Sequence, residues 1–422
     1  MTIHSHDIHQ QLTAYLQPNL ASYLDLLRQM VSINSYTANA AGVNAVGDLT
    51  AAAFADLGFT VEKVPSANPA YGCHLVLTRP ARSSPADAPQ IGLVSHLDTV
   101  FPPEEEAAND FSWRREGDRC YGPGTVDCKG GTAGIYMTLA ALQAVAPQAY
   151  NAVTWVVLVD ASEERDAFDF QDLCLRRLAG NTLACLIYEG GFTENGAYTA
   201  VVARKGMAVY HVTVEGRGAH AGSAHKEGAN AIVQLADTIG RIAALTDYGH
   251  ELTFNVGRVA GGTVTNRVPH RAEAWVEMRT FAPDVFEHGV KSMLALAGQP
   301  SVRSADGSFA CRVCIDIVEQ TPPWPRNPAT ERLLAVWQQA GTALGQAVAP
   351  EERGGLSDGN PLWETLPILD GLGPVGANAH RSEQSPDGSK EQEYVLASSF
   401  VPKAVLNAAA ILLLIGGISS NS

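Results

Sequence analysis

Residues 153–165 read VTWVVLVDASEER, and this stretch decides the fold. Positions 153–159 are almost wholly apolar and rich in valine, the length and composition of a strand buried on both faces. The run ends in Asp160, and two acids, Glu163 and Glu164, then stand side by side. Adjacent like charges at the end of a buried strand repel each other, so a structural role alone explains them poorly. Either the pair sits in a solvated turn or something positive sits beside it.

The same texture extends outward in both directions. LASYLDLLRQMVSI and AVGDLTAAAFADLGF carry helical spacing, the second closed by Gly58. HLVLTR and IGLVSHLDTV read as strands, GGTAGIYMTLAALQAV as a helix, FQDLCLRRLAG as a helix and LACLIYEGG as a strand. Apolar strands alternating with helices predict an α/β domain with a mostly parallel central sheet, covered on both faces. Near residue 204 the pattern changes. MAVYHVTVEGRG alternates, GANAIVQLADTIGRIAAL is an amphipathic helix, TFNVGRVAGG and RAEAWVEMRTF are strands, DVFEHGVKSMLALAG a helix and FACRVCIDIVE a strand. That order predicts a smaller α+β, ferredoxin-like domain. QTPPWPRNP reads as a linker, after which the α/β texture resumes. The expected organisation is a domain split between residues 1–204 and 320–422, interrupted by an insertion at 205–319.

A chain of 422 residues is long enough for two domains, and its net charge of −15 argues against nucleic acid or an anionic membrane as main partner. The seven cysteines are scattered, and the odd count argues against a disulfide framework and for a reducing cytoplasm. CRVC at 311–314 has the spacing of a zinc pair but no second pair; on a strand its two thiols point to opposite faces. MTIHSHDIHQQL lacks the basic start and apolar core of a secretory signal and reads as a loose tail. VLNAAAILLLIGG is too short to span a bilayer and reads as a buried terminal helix.

The chemistry gathers where strands end. His96 and Asp98 close one strand, Asp127 lies in the glycine-rich GPGTVDCKGG before a helix, Glu163 and Glu164 follow the next strand, and Glu189 the one after. His380 ends GPVGANAH. In a parallel sheet the C-terminal strand ends form one rim, so these side chains converge. Two imidazoles with several carboxylates suit zinc, with cobalt or manganese as other candidates, and the inventory exceeds what one ion needs. The two-residue gap from His96 to Asp98 lets Asp98 accept the second imidazole N–H. A phosphate-binding site at GPGTVDCKGG is set aside, because the stretch lacks the full P-loop pattern and carries an acid in its middle.

With these residues in view, the chain resembles the M20 metallo-exopeptidases and deacylases, especially the glutamate carboxypeptidase-like branch. The motifs carrying the resemblance run in order along nearly the whole chain: SHLDTVFP, GPGTVDCKGG, DASEER, YEGG, GRGAHAGSAHKEGANAI, GGTVTNRVP, GGLSDGN and LDGLGPVGANAH. The resemblance implies a zinc-exopeptidase-like catalytic domain interrupted by a lid through which members often form homodimers. It implies two zinc ions, one held by His96, Asp127 and Glu189 and the other by Asp127, Glu164 and His380, with Glu163 as general base. His220 and Asn266 match lid residues that steady the oxyanion, often from the partner subunit. Arg279 matches a lid arginine that grips a substrate carboxylate, a surface ion pair with Glu277 or another acid being the plainer reading. The implied substrate is a small peptide or N-acyl amino acid with a free carboxylate. The alternatives are an acetylornithine-type deacylase or a non-catalytic metal- or amino-acid-binding protein. Departures from the family are Cys128 after the bridging Asp, read as a packing thiol, and Leu356 in GGLSD, beside the expected substrate loop. RSEQSPDGSKEQEY, longer than expected, reads as a rim over the site.

Overall fold

The computed structural model describes residues 5–82, 88–165, 168–178 and 180–419. They form two compact units, the described residues up to 202 with 326–351 and 357–419, and residues 203–325 with 352–356. The contact boundaries fall at 203 and 325, where the sequence pattern placed 205 and 319. The pattern gave no sign that residues 352–356 group with the second unit.

The chain opens with α1 (Ser5–Val31) and α2 (Ala40–Ala55), then β1 (Thr60–Pro65), β2 (Cys73–Arg79) and β3 (Gln90–His96). It continues through α3 (Lys129–Val145), β4 (Thr154–Asp160), α4 (Phe168–Arg177) and β5 (Thr182–Ile187). The second unit contributes β6 (Gly206–Glu215), α5 (Ala231–Ala243), β7 (Thr253–Gly261), β8 (Arg271–Thr280), α6 (Pro283–Leu294) and β9 (Arg312–Thr321). The first unit is completed by α7 (Pro328–Leu344), β10 (Ile368–Leu369) and α8 (Phe400–Ser419).

The first unit's sheet has the order β1-β2-β4-β3-β5-β10. Pairs β4–β3, β3–β5 and β5–β10 are parallel, while β1–β2 and β2–β4 are antiparallel. Every residue of β4 is buried, as its apolar sequence requires. The core packs Leu93, Trp155 and Val157 of the sheet with Leu27 of α1, Met137 of α3, Trp337 of α7 and Leu406 of α8.

Two expectations need correction. The N-terminal segment is helical from Ser5 and buries His9, so it is not a loose tail there; residues 1–4 lie outside the described residues. The terminal helix begins at Phe400 rather than with the apolar run, and the span Ala397–Gly417 is long and apolar enough to cross a membrane. Its packing against α1, α3 and α7, with about two thirds of it buried, makes it a core helix, so the expectation of a buried terminal helix holds and only its length is corrected.

In the second unit the antiparallel sheet runs β7-β8-β6-β9, and α5 and α6 pack on it. Alternation is strict on β8, where Ala272, Ala274, Val276 and Met278 face the helices. Asn230 caps α5, its side chain accepting from the amides of Ile232 and Val233 at 3.0 and 3.2 Å. Cys311 is buried and Cys314 exposed, as opposite strand faces demand.

One glycine sets the spacing between α3 and β5. A Cβ on Gly131 would lie 1.8 Å from the carbonyl oxygen of Tyr188, far inside any tolerable contact. Gly240 within α5 has nothing within 4 Å of that position. Gly131→Ala is expected to cost at least ~3 kcal/mol, whereas Gly240→Ala is expected to add ~0.5–1 kcal/mol by stiffening the unfolded chain. Thermal and urea unfolding followed by circular dichroism measures both.

Candidate metal centre

Parallel pairing puts the ends of three strands side by side. His96, the last residue of β3, is in register with Asp160, the last of β4, and Val94 with Ile187 of β5. The segments that leave these strands carry Asp98, Glu163, Glu164 and Glu189, while the approach to α3 carries Asp127. His380 follows β10 with φ of +64°, a left-handed backbone that non-glycine residues adopt at a cost.

These side chains meet. His96 Nε2 lies 3.0 Å from Asp127 Oδ1 and 3.5 Å from Glu189 Oε1. His380 Nε2 lies 3.3 Å from Asp127 Oδ2 and 3.1 Å from Glu164 Oε2. Asp127 therefore turns one oxygen to each imidazole. Donor atoms of His96, Asp127 and Glu164 all fall within 4.8 Å of one another, close enough to share a cation.

The electrostatics follow from this crowding. Burial would raise the pKa of Asp127, but His380 and His96 outweigh it and hold the carboxylate far below its usual range. Its bonds to Asp127 and Glu164 push His380 up to about 11. Burial opposes a charge on His96, yet the surrounding Cys128, Asp127 and Asp98 raise its pKa well above the ordinary value. Glu163 is pushed far upward, first by burial and then, against the pull of His96, by Glu164, Glu189 and Asp358.

Asp98 does more than orient an imidazole. The nearest partner of His96 Nδ1 is the Asp98 carbonyl at 3.1 Å, with the carboxylate at 3.4 Å. The carboxylate instead accepts from the amides of Glu163 (3.2 Å) and Glu164 (3.3 Å) and from the Thr37 hydroxyl at 2.7 Å. It ties the turn bearing both glutamates to the strand end bearing His96.

Other contributors escaped the sequence reading. Glu393, in the stretch read as a rim, is fully buried, and its Oε1 accepts from the amides of Val126 and Asp127 at 2.8 and 3.1 Å. Burial next to Asp127 pushes its pKa to about 8. Nothing in an exposed-looking SKEQEY tract signals this. Cys128, which the sequence did single out as a packing thiol, is joined to Asp127 by a cis peptide, is buried and accepts from the His96 amide at 3.3 Å. Its sulfur also belongs to a group with His96 and Glu189 whose donors lie within 4.8 Å of one another. His74 bridges Asp160 (2.9 Å) and Asp169 (3.1 Å) beneath the Glu163 turn.

The remaining predicted residues belong to the second unit. His220 is exposed, its Nδ1 accepting from the amides of Gly222 and Ser223 at 3.1 Å. Its segment runs beside that of Asn266, whose carbonyl accepts from the Ala221 amide at 2.9 Å. Arg279 is engaged with Glu277 through Nε (2.8 Å) and Nη2 (3.3 Å), the plainer of the two readings of this residue. Its Nη1 donates to the Gly354 carbonyl, and the neighbouring Leu356 carbonyl accepts from Arg204 at 2.7 Å.

Comparison with known proteins gives concordant results. Residues 202–303 match the peptidase dimerisation domain of the M20 group. The chain is 28% identical to carboxypeptidase G2 of Pseudomonas sp. strain RS-16, over 92% of this chain and 88% of that protein. It is 25% identical to succinyl-diaminopimelate desuccinylase of Paracidovorax citrulli, over 86% and 92% respectively. The fold is shared with a dinuclear metal-binding M20 peptidase of Bacillus subtilis, with a TM-score of 0.65, 14% identity and coverage of 95% and 99%.

Asp98→Asn keeps the size of the side chain but sets an amide donor against the amides of Glu163 and Glu164. It is expected to weaken divalent-cation binding, or turnover, by ~10–100-fold. Isothermal titration with Zn2+ and steady-state kinetics on the same preparation check this.

Proposed function

As the chain belongs to the M20 metallopeptidases and is carboxypeptidase-like, we propose that it is a di-zinc hydrolase cleaving the amide bond of a peptidyl or N-acyl amino acid with a free carboxylate. A glutamate-type carboxypeptidase is the first choice within that class. The observation that carries the reading is Asp127, with one oxygen toward each of two imidazoles.

The donor set fits a pair of divalent cations. His96, Asp127 and Glu189 would hold one, and Asp127, Glu164 and His380 the other. Imidazole and carboxylate donors favour zinc, with cobalt or manganese as substitutes. Cations bound there would polarise the scissile carbonyl and bring a water's pKa toward neutrality.

Glu163 is the proton carrier. Its amide is pinned by Asp98, which fixes the side chain's starting point, and its burial favours the protonated carboxyl. Nearby cations would draw the pKa back down, which suits a group that accepts a proton from water and returns it to the leaving amine. His220 and Asn266 would steady the oxyanion, reaching the partner copy's site in a homodimer formed through the second unit. Arg279 would grip the substrate carboxylate by exchanging it for Glu277. The seven free cysteines fit a cytoplasmic setting.

A deacylase is the second reading, favoured by the similarity to the desuccinylase, and it keeps the same site with a different pocket. A panel of N-acyl amino acids and dipeptides, with metal content measured on the same sample, separates the two. Absence of all amidase activity in metal-loaded protein would favour a binding protein without turnover.

Glu163→Gln is expected to retain both metals while kcat falls by ~100- to 10,000-fold. A variant that turns over normally removes Glu163 from the mechanism. The pH dependence has a definite sign. With a pKa of about 11, His380 carries its proton at neutral pH in the metal-free chain, and a cation must displace that proton. Apparent zinc affinity should therefore rise with pH, with protons released on binding. Calorimetry in buffers of different ionisation enthalpy counts them.

A further inference from the structure

Cys128 stands at the cap position of α3, where serine, threonine or aspartate normally accepts from the first turn of a helix. Its side chain makes no such bond. The sulfur turns instead to the end of β3, where it accepts from the His96 amide at 3.3 Å. It is fully buried, and it lies within 4.8 Å of a donor atom of His96 and of Glu189, both of them buried as well. Among the described residues, no other cysteine joins a group of this kind.

The surroundings suit a metal-bound sulfur. A backbone N–H aimed at a sulfur favours negative charge there, and such bonds tune metal–thiolate centres. A divalent cation deprotonates a coordinating thiol outright. Complete burial shields the resulting thiolate, because oxidation follows exposure. The donors on the other side of Asp127 are of a different kind. Glu164 and His380 offer only oxygen and nitrogen, and the His380 side chain is 53% exposed where that of His96 is wholly buried. The two halves of the cluster thus differ in donor softness and in access to water.

We propose that Cys128 is a fourth donor to the cation held by His96, Asp127 and Glu189. That half of the centre then carries four protein donors, fills first and prefers a soft ion such as Cd2+ or Zn2+ over Mn2+, while the half at His380 has three donors and leaves room for water. The inference rests on the di-metal reading, adds a donor to it, and replaces the packing role that the sequence suggested for this thiol.

The test titrates the full-length, metal-free protein with Co2+ and follows its electronic spectrum. The wild type is expected to show a near-ultraviolet sulfur-to-cobalt charge-transfer band that grows with the first equivalent and then levels off. Cys128→Ser and Cys128→Ala should lose this band and keep the visible ligand-field bands of bound cobalt. Cys314→Ser, which removes the exposed thiol, should keep both. In competition titrations, Cys128→Ser should lower the Cd2+-over-Mn2+ affinity ratio of the tighter site by ~10-fold or more, the scale on which partners of a metal site act. A thiol that only packs predicts the same spectrum and the same ratio in wild type and variant. Bound cobalt without the charge-transfer band overturns the proposal and leaves the di-metal reading standing, as does a band that survives in Cys128→Ser. A band that appears only with the second equivalent overturns the order of filling. Protein that binds neither cobalt nor zinc overturns both readings together. If the Cys128 variants do not fold, the wild-type and Cys314→Ser spectra decide, since cobalt held by nitrogen and oxygen alone has no such band.

Discussion

One carboxylate shared by two imidazoles organises the first unit. Asp127 can stay charged in a crowded site because His96 and His380 each take one of its oxygens. Its main chain is held as firmly, since buried Glu393 accepts from its amide and from that of Val126. An acid placed there without these partners would be neutralised by its surroundings. The strand end that supplies His96 and the left-handed loop that supplies His380 are thus parts of one electrostatic arrangement.

Asp98 plays the matching part for the glutamates. Without its carboxylate, the amides of Glu163 and Glu164 would lose an acceptor beside a buried strand end. The repulsion between two adjacent acids is met on one side by the His380 contact to Glu164 and on the other by burial that favours a protonated Glu163. The two glutamates are neighbours in sequence with separate electrical environments.

Much of this was legible in the sequence because it depends on periodicity. An apolar run such as VTWVVLV has few options other than a buried strand, and parallel strands bring their ends to one rim; His96, Asp127, Glu164, Glu189 and His380 do meet there. What was not legible depends on contacts distant in sequence. Glu393 is distinguished from its exposed neighbours only by the main chain of residues 126 and 127, which no local pattern encodes. The role of Asp98 was half visible: the spacing from His96 pointed to the imidazole, while its bonds to the 163–164 amides depend on how β3 and β4 lie together. The terminal helix was underestimated because its first turn, starting at Phe400, is less apolar than the run that follows. The ion pair between Arg279 and Glu277 was visible as an alternative, since residues two apart on a strand share a face.

The burial of α8 against α1, α3 and α7 has a consequence for how the molecule comes into being. Nearly all of the second unit is one uninterrupted stretch, 203–325, which leaves the ribosome as a piece able to form its own contacts. The first unit has no such freedom. A chain halted before residue 368 lacks β10, His380, Glu393 and the helix that closes the core, and holds its strands with one side uncovered. The inserted unit can therefore be finished while its host is still open, and the acids around Asp127 wait for their second imidazole until residue 380 has been made.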